Sequence, residues 1–254
     1  MRVLVTGGTG ILGRKLVERL RANSHEVRVM SHRPGAGDVT GDLATGEGLA
    51  GAVEGVDAIA HCASSPLRKV MDTDVQGAGR LMKAARDAGG SAHVLYISIV
   101  GIDRFPRLRY YQAKLSVERT VEASDLPWTI LRATQFHDLI AFVLSRLVRA
   151  PAVMPVPRHF RFQPVDPGEV AGRMADLLEA GPSEKVDDMG GPEVRVMGDL
   201  ARSYLDARGA RRRLLEVPLP GPTAAGFRRG DNTCTGHARG TVTWEEWLSR
   251  HVRD

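Results

Sequence analysis

The sequence predicts an α/β fold, a doubly wound parallel sheet followed by a smaller C-terminal lobe. Two observations predict it. The first is the order strand, glycine turn, helix at the N-terminus. The apolar run Val3-Leu4-Val5 leads into Thr6-Gly-Gly-Thr-Gly-Ile-Leu-Gly13, and the apolar residues at 11, 12, 16, 17 and 20 then fall on one helical face. The second is that short strand-like runs alternate with helical patterns through the first half. Alternation of this kind gives parallel strands with helices on both faces.

Taken in order, the second strand is Glu26–Met30 and a short third is Asp38–Gly41. Asp57–Ala63 is the fourth, Val94–Ser98 the fifth and Trp128–Arg132 the sixth. Helical patterns fill 47–54, 73–88 and 110–123. After Phe136 the pattern loosens. His137–Arg149 reads as a helix, and Pro151, Pro155 and Pro157 forbid a long one just beyond it. Asp166–Ala180 is helical, with Pro167 near its start and Gly181-Pro182 after its end. Further helices are expected at 199–208 and 244–251, with a turn-rich connector at Pro218–Pro222 between them. The expected division is a dinucleotide-binding domain over 1–136 and a substrate-covering lobe over 137–254.

The glycine turn has a physical rationale at each position. Gly7 and Gly8 permit a tight turn, Gly10 lets a diphosphate approach the backbone, and Gly13 lets the helix lie close to the strand. The free N–H groups of the helix start then face an anion.

Composition limits the rest. Apolar residues make up 43% of 254, enough for one large core. No apolar run approaches the ~20 residues of a membrane helix, and glycines interrupt any signal-like region at once. A cytoplasmic protein without a membrane role is expected. The two cysteines, Cys62 and Cys234, have neither metal-ligand spacing nor the pattern of a disulfide scaffold. The histidines form no zinc-type pair with a third ligand, so no metal is expected. The formal charge of +5 suits an anionic cofactor. Arginines are scattered, with only Arg211-Arg212-Arg213 in a run, which argues against nucleic acid.

Several marks appear in a fixed order over the first 135 or so residues: the glycine turn, Gly41-Asp42-Leu43, Ala63-Ser64-Ser65, Ser98-Ile99-Val100-Gly101, Tyr110-Tyr-Gln-Ala-Lys114 and Trp128–Arg132. On these the chain resembles the short-chain dehydrogenase/reductase superfamily, in its atypical branch of NmrA-like and epimerase-like members. The resemblance implies a Rossmann-type doubly wound sheet with a small C-terminal substrate lobe. It also implies an NAD(P)-binding role for Gly7, Thr9, Gly10, Ile11, Leu12 and Gly13. Asp42 and Leu43 would contact the adenine, Ala63, Ser64 and Ser65 would pass beneath the riboses, and Thr134 would approach the nicotinamide.

The end of the second strand bears on which cofactor is favoured. A carboxylate there would bond the ribose 2′-OH and repel a 2′-phosphate. This chain has Ser31-His32-Arg33 instead, with no acid until Asp38. Arg33 can grip a phosphate with its planar fork, and Ser31 or His32 can add a hydrogen bond. NADP(H) is therefore expected over NAD(H).

Tyr110 and Lys114 share a helical face. Reduction of a carbonyl needs a proton donor for the developing alkoxide, and a tyrosine with a pKa near ~10 benefits from an adjacent cation. Lys114 would supply that charge and bond the nicotinamide ribose, while Ser98 would hold the substrate oxygen. Ser98 takes that position if Gly101 sets the register, and Ile99 takes it if the register slips by one. Tyr111 stands at the wrong spacing from Lys114. His137 reads as a solvent-facing residue at a helix start, with an extra acid or base as the alternative. Phe136, Met154, Phe160 and Phe162 suit either a pocket wall or the core, and Trp244 and Trp247 suit packing.

The function expected is that of an NADP(H)-dependent oxidoreductase, reducing a small or medium apolar carbonyl or quinone-like substrate as a monomer or homodimer. The alternatives are a non-catalytic NADP(H)-binding redox sensor and a sugar-nucleotide epimerase or dehydratase.

Overall fold

A computed structural model describes residues 1–65, 71–149 and 153–252; Pro151 lies outside them. The chain divides into two compact units. The first comprises Met1–Ile99, Leu108–Arg132 and Pro167–Asp187, and the second Val100–Arg107, Ala133–Asp166 and Asp188–Asp254.

In the first unit the chain runs β1 (Arg2–Thr6), α1 (Ile11–Ala22), β2 (Glu26–Ser31), β3 (Val39–Thr40), α2 (Leu49–Val53) and β4 (Ala58–His61). A π-helical turn at Met71–Gln76 leads into α3 (Gly77–Asp87), then β5 (His93–Ile99), α4 (Arg109–Glu122) and β6 (Trp128–Ala133). The second unit then contributes α5 (His137–Leu147), β7 (Val153–Pro157) and β8 (Arg161–Phe162). The chain returns to the first unit as α6 (Pro167–Ala180) and β9 (Glu184–Lys185). It finishes in the second with β10 (Arg195–Val196), α7 (Met197–Ala207), β11 (Arg213–Val217), α8 (Pro222–Arg229) and α9 (Trp244–His251).

The main sheet is parallel, in the order β3-β2-β1-β4-β5-β6-β9. From β1 the chain winds outward to β3, then returns to the other side of β1 as β4. That reversal opens a crevice beyond the C-terminal ends of β1 and β4, where ligands of such sheets bind. Strands β1 and β4 are buried on both faces, so they read as continuous apolar runs rather than alternating ones. A core of Leu4, Ile59, Leu81, Met82, Val94, Tyr96 and Ile130 joins the sheet to α2, α3 and α4.

The two units interleave, whereas the sequence suggested a single cut after residue 136. The reason is α6. Its buried stripe Val170, Ala171, Met174, Ala175, Leu177 and Leu178 packs against α1, and β9 then extends the parallel sheet beside β6. The strand signals for β7, β10, β11 and the helix α8 were not read in the sequence. Prolines occupy β7 and α8, and β10 pairs with β8 over only two residues.

The second unit has its own core of Met154, Phe160, Phe162, Leu200, Tyr204, Trp244 and Trp247. Met154, Phe160 and Phe162 are thus core residues. Among the described residues no helix is long and apolar enough to cross a membrane, and no cluster of three or more His, Cys, Asp or Glu could hold a metal ion.

Candidate active site

The first turn after β1 is built so that only glycine fits. Gly7 has φ +69°, and a Cβ there would lie 2.7 Å from the backbone N and Cα of Ala63. A Cβ on Gly13 would collide with the Gly7 carbonyl. That carbonyl accepts the Gly10 N–H at 2.9 Å, which closes the turn. Buried Thr6 ties the two strand ends together: its Oγ1 lies 2.8 Å from His61 Nδ1 and accepts the Ala63 N–H at 3.3 Å. Gly10 is the N-cap of α1 and supplies no side chain, and the first turn of the helix carries no acid. The N–H groups of Ile11, Leu12 and Gly13 precede the first intrahelical bond, from Arg14 to Gly10. Thr9 and Gly10 are exposed beside them. Open amides, a positive helix end and no obstructing Cβ fit a diphosphate.

At the end of β2, the Arg33 N–H donates to Ser31 Oγ at 3.0 Å, which folds the chain back. His32 and Arg33 are exposed, and Arg33 has no carboxylate partner among the described residues. Asp38, the next acid, is occupied elsewhere. Its Oδ2 accepts the Val29 N–H at 2.8 Å and faces Arg21 at 3.3 Å. Asp42 holds its own turn, accepting the Ala44 N–H at 2.7 Å. The Leu43 side chain lies in the core, so only its backbone can face a ligand.

Beyond β4 and β5 the polar groups converge. Lys114 is 5% exposed and donates to the Ile97 carbonyl at 3.1 Å, with its ammonium 4.7 Å from the centre of the Tyr96 ring. Burial pushes its pKa down to about 8, against the opposing pull of Asp74, Cys62 and Glu118. Burial and the charge of Lys114 depress His61 to about 3, so His61 is neutral. Burial raises the Cys62 thiol to about 12, which makes it an inert packing residue.

Ser98 follows Ile97 directly. It is 3% exposed, and its hydroxyl has no hydrogen-bond partner among the described residues. A buried unpaired hydroxyl costs about 1–3 kcal/mol, so it calls for an explanation. Tyr110 is half-buried on α4, and its hydroxyl lies 3.0 Å from Ser64 Oγ. Burial raises the Tyr110 pKa, the Ser64 hydrogen bond lowers it, and Asp74 raises it. Asp74 accepts the Ser64 hydroxyl at 2.6 Å and the Ser65 N–H at 2.8 Å.

Residues 7–141 match a family model described as NAD(P)H-binding. The chain belongs to this NAD(P)H-binding family. The curated relatives that it matches include Photosystem II assembly factor Ycf39 of Trieres chinensis, 27% identical over 54% of this chain, and the chain spans about half of that relative's length (47%). A (4-alkanoyl-5-oxo-2,5-dihydrofuran-3-yl)methyl phosphate reductase of Streptomyces griseus subsp. griseus is 26% identical, with 99% of this chain and 94% of that protein covered. Among solved structures, an NADPH-dependent quinone oxidoreductase of Escherichia coli complexed with NADPH has a TM-score of 0.79 at 18% identity, covering 98% and 99% of the two chains. At that identity the likeness is one of fold.

Within the NAD(P)H-binding family frame, one predicted site residue belongs to the second unit. Thr134 is buried there, its hydroxyl donating to the Gln163 carbonyl at 2.5 Å and its N–H to Met189 at 2.9 Å. The solvent-facing reading of His137 is corrected. The residue is 1% exposed, stacked on Trp244 and Trp247 at 5.7 and 5.8 Å, with Nε2 3.1 Å from the Val242 carbonyl. The sequence reading missed Asp74. An acid at the start of a helical pattern reads as a macrodipole partner, and the π-helical turn that buries it has no sequence signature.

Proposed function

We propose that the protein is an NADP(H)-dependent oxidoreductase that reduces an apolar carbonyl or quinone-like compound. The observation that carries this reading is the unpartnered buried hydroxyl of Ser98. It stands one residue after the carbonyl that holds Lys114, at the strand ends that also bear the glycine cradle. Gly7, Thr9, Gly10 and the first-turn amides of Ile11, Leu12 and Gly13 would hold the diphosphate. Ser31, His32 and Arg33 would take a 2′-phosphate, since Asp38 is turned onto Val29 and Arg21. Asp42, Leu43, Ala63, Ser64 and Ser65 line the same edge. When bound, NADPH supplies the hydride.

The chain's own groups do the rest. Ser98 donates to the substrate oxygen and holds it. Tyr110, kept protonated by its raised pKa, delivers a proton to that oxygen as charge develops there. Lys114 steadies the resulting phenolate through its charge. The Streptomyces griseus reductase, which aligns over almost its whole length, supports a reductase over a sugar-nucleotide enzyme.

The test is NADPH consumption against a panel of aldehydes, ketones and quinones, with NADH in parallel. Turnover with NADPH that falls at least ~100-fold in Tyr110→Phe supports the reading. No turnover with any compound refutes it.

A further inference from the structure

Asp74 is 3% exposed and lies in the π-helical turn just before α3. Its Oδ1 accepts the Ser65 N–H, and its Oδ2 accepts the Ser64 hydroxyl. A serine hydroxyl has one hydrogen, and an ionised carboxylate only accepts. With the Ser64 hydrogen committed to Asp74, the 3.0 Å contact between Ser64 Oγ and Tyr110 Oη has Tyr110 as its donor. Three oxygens therefore form a directed chain, with both hydrogens pointing toward the carboxylate. A lone pair of the tyrosine oxygen is left for another donor.

We propose that Ser64 relays protons between solvent and Tyr110, and that the Asp74 carboxylate, by holding the Ser64 hydrogen, sets the direction in which the Tyr110 hydroxyl points. The proposal rests on the reading of Tyr110 as the acid. In reduction one proton passes from Tyr110 to the carbonyl oxygen, one from Ser64 to Tyr110 and one from solvent water to Ser64, which is exposed. Three O–H bonds break and three form, with the hydride completing the two-electron reduction. The hydroxide left in bulk solvent is neutralised there. Oxidation of an alcohol runs the same transfers backward.

Among the described residues, the other titratable groups around the hydroxyl chain are His61 at the end of β4, Cys62 just after it, Tyr96 on β5, and Lys114 and Glu118 on α4. Glu118 is held by Arg132 at 2.7 Å. None of these lies in the hydroxyl chain.

The test is an ultraviolet titration of tyrosinate in the full chain. The wild type has four tyrosines, so subtraction of Tyr110→Phe isolates the signal of Tyr110. Asp74→Asn removes a negative charge and moves Tyr110 ionisation to lower pH. Ser64→Ala removes the acceptor of the Tyr110 hydroxyl, which holds the neutral phenol, and also moves ionisation to lower pH. Downward shifts in both variants are expected; an upward shift in Ser64→Ala would make Ser64 the donor to Tyr110 and overturn the assigned direction. In turnover, Asp74→Asn should lose at least ~10-fold in kcat, with the KM for NADPH within ~2-fold of wild type.

An unmoved Tyr110 in Asp74→Asn overturns the relay, whether or not the protein reduces carbonyls. Where that variant does not fold, an unmoved Tyr110 in Ser64→Ala overturns it. Downward shifts in both variants without turnover in the wild type keep the relay and remove the reductase reading. Turnover with unmoved titrations does the reverse.

Discussion

Replacing Lys114 with methionine should make the protein more stable at neutral pH and less active. The ordinary lysine pKa is 10.5, and burial takes Lys114 down to about 8. The folded state thus gives up this proton more readily than the unfolded chain does. Below about pH 8 both states are charged, and the folded state bears the full cost of burying the ammonium. At ~1.4 kcal/mol per pH unit, the gap corresponds to ~3 kcal/mol. Stability conferred at this position therefore rises with pH from about 8 to about 10.5, because the unfolded chain binds the extra proton over that window. Methionine follows the same stem into the space beside Tyr96, but it forfeits the hydrogen bond to the Ile97 carbonyl, about 1 kcal/mol. The net expectation at pH 7 is a gain of ~2 kcal/mol. Urea unfolding of both proteins at pH 7 and pH 10 tests it. The advantage should shrink to nothing or reverse by pH 10, and reductase activity should be lost at both. A variant that is less stable at pH 7, or a difference that does not change with pH, would refute the reasoning.

Other predictions follow from the same geometry. Arg33→Ala should weaken NADP(H) binding ~10- to 100-fold in titration calorimetry, as expected for a lost bond between charged groups, while NAD(H) binding stays within ~2-fold; equal losses for both would remove Arg33 from 2′-phosphate recognition. Arg132→Met leaves Glu118 fully buried without the two bonds it receives at 2.8 and 2.7 Å, and should cost ~3–5 kcal/mol in denaturant unfolding. Converting Glu118 to leucine in the same chain should recover most of that loss. Gly7→Ala forces a Cβ to within 2.7 Å of Ala63 at φ +69°, so it should cost ~2 kcal/mol or more and abolish retention on a nucleotide-affinity column. Retention equal to wild type would show that the turn yields.

The glycine turn after β1 was legible in the sequence because its constraint acts on the backbone. A residue that must be glycine leaves a mark in the chain. Gly7 and Gly13 are glycine because a Cβ would strike Ala63 or the Gly7 carbonyl. Of the six first-half strands, β1, β4 and β5 were legible because they are buried along nearly their whole length and so are mainly apolar. The C-terminal half gave less. Helix α6 was read correctly as an element but assigned to the wrong neighbour, because an amphipathic stripe specifies that a face is buried and not which partner buries it. His137 was misplaced for the same reason. Its position at the start of α5 suggested solvent, yet two tryptophans more than a hundred residues away cover it.

The proton end was hidden for a different reason. Tyr110 and Lys114 belong to one helix, so their spacing shows in the sequence, but the groups that tune them come from elsewhere. Ser64 follows β4, Asp74 sits in a π-helical turn, and the Ile97 carbonyl lies in β5. A π-turn adds a residue to the helical repeat and so rotates the side chains that precede it relative to those that follow. Read as one continuous α-helix, 73–88 gives no reason for Asp74 to be buried, and an acid in a first turn has a sufficient role at the surface. Only the turn's actual hydrogen-bonding period brings that carboxylate to 2.6 Å from Ser64. Because Ser64 then has no hydrogen to spare, the orientation of the Tyr110 hydroxyl follows from a residue thirty-six positions earlier in the chain. The helix supplies the tyrosine, and the fold decides where its proton points.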